Sequence, residues 1–228
     1  MLTARNAART IAALLMLQMV LGFTVNFVFF APLFGPPGYL ETAAPNAFHV
    51  AVGVLLGLVM QGLAIGIAIV AWPIFRPLSR AMASWLLALA TVGLAAGVLE
   101  YVNVMSMLSL SQAYAKDAGA HADLFKILGP AVAASRNWAH YTGLIVAGSV
   151  AFTLYATLFR FALVPRIIAG FGMLAVISQL ASVIRPLFGE PVVFPMLAPL
   201  GLAHLALVIW LVVKGFANRP AREPAAAT

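Results

Sequence analysis

The chain has 228 residues, of which 64% are apolar, 8% charged and none cysteine, and its formal net charge is +7. Soluble domains run at roughly 45–50% apolar and about 25% charged; so few charges cannot cover a water-facing surface, and a soluble fold is excluded. The lack of cysteine excludes disulfides, c-type haem attachment and thiolate metal sites.

About 20 apolar residues are needed to cross roughly 30 Å of hydrocarbon at 1.5 Å per residue. Six stretches qualify: 10–31, 49–72, 83–111, 136–159, 166–186 and 194–214. The expected fold is therefore all-α, a polytopic bundle of six transmembrane helices over residues 1–217, followed by a disordered polar tail over 218–228.

Arg5 and Arg9 precede the first span as they would a signal peptide, but Ile11 to Phe30 exceeds the usual 7–15 residue apolar core, so a retained helix is expected. Pro32, Pro36, Pro37 and Pro45 fill the connection after it. The second span carries the pairs Gly53/Gly57 and Gly62/Gly66, and the third carries Gly93 and Gly97, small residues of the kind that let helices approach closely in lipid. Glu100 follows on the Gly93/Gly97 face and is the one acid inside any span. Residues 112–135 mix charges with apolar residues at helical spacing, which predicts a long outer connection holding a short interfacial helix. The fourth span brings Arg136, Asn137 and His140 onto the stripe of Gly143 and Ala147, and the fifth carries Gln179 and ends at Arg185. In the sixth, Pro195 and Pro199 are the only prolines read as lying inside a span, which predicts a kinked helix above His204 bordering a small cavity.

Nine bases lie on one side: Arg5 and Arg9, Arg76 and Arg80, Arg160 and Arg166, then Lys214, Arg219 and Arg222. The other side has four, Lys116, Lys126, Arg136 and Arg185. Cytoplasmic segments carry the Lys/Arg excess, so both termini are expected inside. Topology thus accounts for the positive charge, and nucleic acid is not an expected partner.

Depth counted along each helix gathers Glu100, His140, His49, Gln179 and Arg185 in the outer half, leaves the inner halves aliphatic, and sets His204 near the midplane. A buried carboxylate must be protonated or paired. Glu100 is either neutral and bonded to a neighbour such as Asn103, or charged against His140, His204 or Arg185. The candidate ligand-binding set is Glu100, His204, His140, Asn103 and Arg185, with Glu100 and His204 as the titratable pair lining an outward-facing polar cavity. The function expected from it is small-molecule or ion binding of a transport-like kind. Two alternatives stay open: a b-type haem held by His49 and His140, and a packing or assembly protein without chemistry. No phosphate loop, HExxH motif or serine elbow is present, so no catalytic residue, metal ligand or cofactor is assigned and an enzyme is not the expected reading. The expected partners are the lipid bilayer and a small molecule, and the sequence is compatible with a homo-oligomer.

Leu163-Val164-Pro165-Arg166 opening a helix, a last helix ending Trp210-Leu211-Val212-Val213-Lys214-Gly215-Phe216, and Phe75-Arg76-Pro77-Leu78-Ser79-Arg80 before the third span together resemble a bacterial membrane family catalogued as a domain of unknown function. The likeness runs over about residues 5 to 217. Glu100 stands where that family often carries an acid, and His204 stands where its last helix would be expected to carry another. The resemblance implies a six-helix protein of the bacterial cell (inner) membrane and supplies no activity.

Overall fold

Leucine, alanine and methionine lose little side-chain freedom in a helix, and hydrocarbon leaves a single spanning segment no other way to satisfy its backbone. A computed structural model describes residues 3–117 and 119–217, and those residues form helices joined by short turns, with no strand among them. The tail expected over 218–228 lies outside the described residues. Six long helices form the bundle: α1 (Ala4–Thr24), α2 (Ala47–Phe75), α3 (Arg80–Lys116), α4 (Ala122–Arg160), α5 (Arg166–Val183) and α6 (Ala198–Val213). Each belongs to a segment long and apolar enough to cross a membrane. Thr3 and Ser79 start α1 and α3 by accepting the backbone N–H groups of Asn6 and Met82, which would otherwise be orphaned.

Each helix packs on its neighbour in sequence, and α6 returns to pack on α1, so the six close into a ring. The start of α1, the end of α6, the α2–α3 turn and the α4–α5 turn lie at one end of the ring, here the termini end. The opposite end carries the segment from Phe30 to Asn46, the α3–α4 turn and the α5–α6 connection.

Two sequence expectations are corrected. The outer connection is not 112–135 but only 117–121, because α3 and α4 run on to 37 and 39 residues. At 1.5 Å per residue they reach about 55 and 58 Å, nearly twice the hydrocarbon thickness, and project as a helical hairpin. The projecting turn is held by Asp117, whose carboxylate accepts both the backbone N–H and the ring Nδ1–H of His121, and by an edge contact of Tyr114 on Phe125. The proline assignment also changes. Pro73 and Pro130 lie inside α2 and α4, whereas Pro195 falls in the 3-10 turn Phe194–Leu197 and Pro199 in the first turn of α6. The last helix therefore begins at its prolines instead of kinking there, as a residue without an N–H suits a first turn.

Two apolar cores fill the ring. One, towards the termini end, includes Ile11, Phe75, Leu86, Leu158 and Leu207; the other, towards the hairpin end, includes Val25, Phe30, Val50, Val104 and Met107. The Phe30–Asn46 segment is tied down over the second. Ser111 donates to the Leu40 carbonyl and accepts from the Ala44 N–H, Tyr39 donates to the Gly129 carbonyl, and Thr42 donates to the Pro32 carbonyl. All five acids among the described residues lie in the half of the molecule towards the hairpin end, and the charged residues described at the termini end are bases.

Candidate functional site

Two polar regions stand in the ring, and they differ in kind. The first is a charged seam between α3 and α4. Glu100 is 6% exposed and Arg136 5% exposed. Arg136 Nη2 donates to Glu100 Oε1 at 2.8 Å, and His140 Nδ1 donates to the same oxygen at 2.9 Å. Residues 136 and 140 are one turn apart on α4, so both reach one carboxylate on the facing helix. The Arg136 guanidinium also lies over the Phe34 ring, 4.6 Å from its centroid. A turn further along α3, the Asn103 side-chain oxygen accepts the Ser135 hydroxyl at 2.7 Å, while its amide donates to the Leu99 carbonyl. The seam thus pairs its charges with one another, leaving Arg136 Nε as a buried donor without a partner, and none of Glu100, Arg136 and His140 lines the chamber at the centre of the ring.

The second region is a central chamber of about 390 Å³ that all six helices line. Its walls are mostly aliphatic, with Leu15, Ile67, Leu86, Leu144 and Leu200 among them, and its polar groups are Gln18, Gln61, Gln179 and His204. None of these carries a fixed charge. Gln18 stands about 14 residues from the start of α1, Gln61 about 14 from the end of α2 and Gln179 about 13 from the start of α5, so the three amides lie at nearly one height, roughly 20 Å from the termini end. His204 lies about 9 residues from the end of α6, roughly one turn lower. Gly201 faces open space here, and Ala147 and Gly93, small residues on inward faces, border the chamber instead of filling it.

His204 Nδ1 is 2.9 Å from the Leu200 carbonyl oxygen, which can only accept. Nδ1 therefore carries the hydrogen, and in the uncharged ring Nε2 is left as an acceptor. Nε2 makes no hydrogen bond to the protein among the described residues. The ring is held edge-on against Tyr155, at 5.6 Å between centroids, and the Tyr155 ring lies directly over Gly172 of α5, where no Cβ would fit. Gln179 Oε1 is buried against Gly148 without a partner. Gln61 occupies the space left by Gly97 on α3, as Tyr101 occupies that left by Gly57 on α2. A separate apolar groove of about 670 Å³ on the outer wall, between α2 and α3, is bordered by Val54, Leu58, Val98 and Met105.

Of the residues singled out from sequence, the structure brings Glu100 and His140 into contact and sets Asn103 beside them. His204 lies in the chamber, which neither Glu100 nor His140 lines. Arg185 is held in the α5–α6 connection, its Nε donating to the Pro191 carbonyl and its Nη2 to Glu190. His49 packs against Phe29, at 5.7 Å between ring centroids. Among the described residues no three of histidine, aspartate or glutamate gather as metal ligands would. Sequence reasoning missed Gln18 and Gln61, and with them a polar belt midway along helices it read as aliphatic. Their equal distance from the termini end was the available signal.

Residues 10–215 match the family described as Domain of unknown function (DUF4386). No curated protein and no solved structure matches the chain.

Proposed function

The chain belongs to the DUF4386 family, and from that premise we propose that it binds an uncharged small molecule inside the membrane, in the chamber at the centre of its six-helix ring. The observation that carries this reading is the pairing of space with neutral, incompletely satisfied polar groups: about 390 Å³ faced by three amides and an imidazole acceptor. Ligand pockets combine a largely apolar wall with a few placed polar groups in this way and run from about 300 to 1,000 Å³. An ion is disfavoured as ligand because the chamber has no carboxylate or fixed cation to balance it, and an unbalanced charge in low dielectric costs several kcal/mol or more. In this reading Glu100, Arg136, His140 and Asn103 clamp α3 to α4 and position the wall of the chamber. Binding with access from one or both ends would make this a transport-like module. The excess of bases at the termini end supports an orientation with both termini in the cytoplasm, and the family likeness supports a bacterial cell membrane.

A chain without cysteine allows a clean test. Ala147→Cys places one thiol on the chamber wall. It should react with 3,3-dimethylbutyl methanethiosulfonate at least tenfold faster than with the trimethylammonioethyl reagent of the same shape, which differs by a positive charge. A Leu99→Cys control, on the exposed outer wall, should show no comparable reaction with either. Equal rates at Ala147→Cys, or no reaction at all, would refute the chamber as a site for neutral molecules.

A further inference from the structure

The chamber says more than that its occupant is uncharged. Its one imidazole is fixed in a single orientation by two independent contacts. The Leu200 carbonyl takes the Nδ1 hydrogen, and Tyr155, itself seated on Gly172, closes on the ring from the side at an interplanar angle of 81°. What remains is Nε2, a nitrogen lone pair that makes no hydrogen bond to the protein among the described residues, on a side chain that lines the chamber. A second acceptor, Gln179 Oε1, is also unpartnered, but it is buried against Gly148 and not turned to the open space. Buried acceptors left without donors are costly, and native proteins leave few of them. Around these acceptors the wall is aliphatic, with no aromatic side chain and no ionised group among its lining residues.

We propose that the chamber recognises a lipophilic hydroxyl compound, a molecule with an apolar body of alkylphenol or medium-chain alcohol size whose O–H donates to His204 Nε2. This rests on the chamber being the binding site and adds the chemical class of ligand. The complementarity is one of donor to acceptor at His204: Nε2 offers a lone pair, so the group that meets it must bring a hydrogen. A ketone, ether or ester of the same shape would bring an acceptor to Nε2 and leave that nitrogen unsatisfied. A phospholipid is excluded by its phosphate charge and by size, because about 390 Å³ accommodates a ring and a short chain and no more. His204 here selects the ligand by hydrogen bonding and takes part in no bond-making step.

The test uses a matched pair of probes, 4-propylphenol and its methyl ether 4-propylanisole, on the Ala147→Cys protein in detergent or nanodiscs. The readout is protection of the thiol from 3,3-dimethylbutyl methanethiosulfonate. 4-Propylphenol should protect at a concentration roughly tenfold lower than the ether, the factor expected of one hydrogen bond formed away from water. Introducing His204→Phe, similar in size and without an acceptor, should bring the two probes to equal potency by weakening the phenol and leaving the ether unchanged. Equal protection by phenol and ether in the histidine-bearing protein would overturn the hydroxyl assignment and leave the chamber reading intact. Failure of both probes to protect a reactive thiol would also overturn it. A thiol that does not react at all would remove the chamber reading and this inference together. The phenol–ether contrast is read with His204 in place, so it stands even where His204→Phe fails to fold.

Discussion

The α3–α4 seam and the central chamber share two helices, although the chamber draws its wall from all six. His140, which bonds Glu100, is one turn from Leu144, which lines the chamber. In the seam the polar groups are charged and engage one another: one carboxylate oxygen takes both Arg136 and His140, and Asn103 takes Ser135. In the chamber they are neutral, come from different helices and keep unused capacity. A cluster whose charges pair with one another across two packed helices acts as a clamp, whereas neutral polar groups around open space make a site. The most conspicuous residue of the sequence, its single intramembrane acid, belongs to the first kind.

That distinction is sharpened most strongly by removing the acid. Glu100→Leu should destabilise the protein by about 3–5 kcal/mol, because Arg136 is left buried without its counter-charge. Adding Arg136→Met should restore at least half of the loss, since an apolar pair replaces a buried ion pair with little penalty. Unfolding in mixed micelles followed by tryptophan fluorescence would measure both. A single variant as stable as the parent would show that the seam is no clamp.

The next effect sets filled glycine space against open glycine space. At Gly172 an added Cβ would lie 2.3 Å from the Tyr155 ring, and at Gly201, on the chamber wall, it would meet nothing within 4 Å. Gly172→Ala should therefore cost about 1–3 kcal/mol through overpacking. Gly201→Ala should be neutral or stabilising by up to about 1 kcal/mol, because alanine is the better helix former. The same unfolding assay compares them, and equal losses would contradict the emptiness of the chamber.

The smallest effect falls on the exposed hairpin turn. Hydrogen bonds from the ring and backbone of His121 hold the Asp117 carboxyl below the usual carboxylate range. A depressed folded value means that this group's stabilisation is present above its ordinary value and is lost as pH falls through the lowered one. Protection of the amides in the 117–121 turn, measured against the intrinsic exchange rate at each pH, should therefore hold near neutrality and fall under acid conditions. Asp117→Asn should remove that pH dependence and leave the seam and chamber unaffected.

These regions differ also in how far the sequence foretells them. Six spans are legible because lipid admits nothing but long apolar helices. The contact of Glu100 with His140 is legible from helix faces and matching depth. Arg136 reads as an interfacial base, since its stacking under Phe34 depends on the Phe30–Asn46 segment folding over α4. The projecting hairpin is hidden because residues 112–135 have loop-like polarity; tertiary ties such as Tyr39 to Gly129 keep them helical. The glutamine belt is hidden for another reason. Gln18, Gln61 and Gln179 lie on separate helices, and they converge only once α6 closes the ring against α1.

The most direct test of the chamber as the binding site is anomalous diffraction from crystals soaked in 4-bromophenol, whose bromine marks its own position. The account predicts one dominant peak inside the six-helix ring, with the phenol oxygen within hydrogen-bonding reach of His204 Nε2. A dominant peak beside Glu100 and Arg136, or in the outer groove between α2 and α3, with the chamber empty, would contradict it.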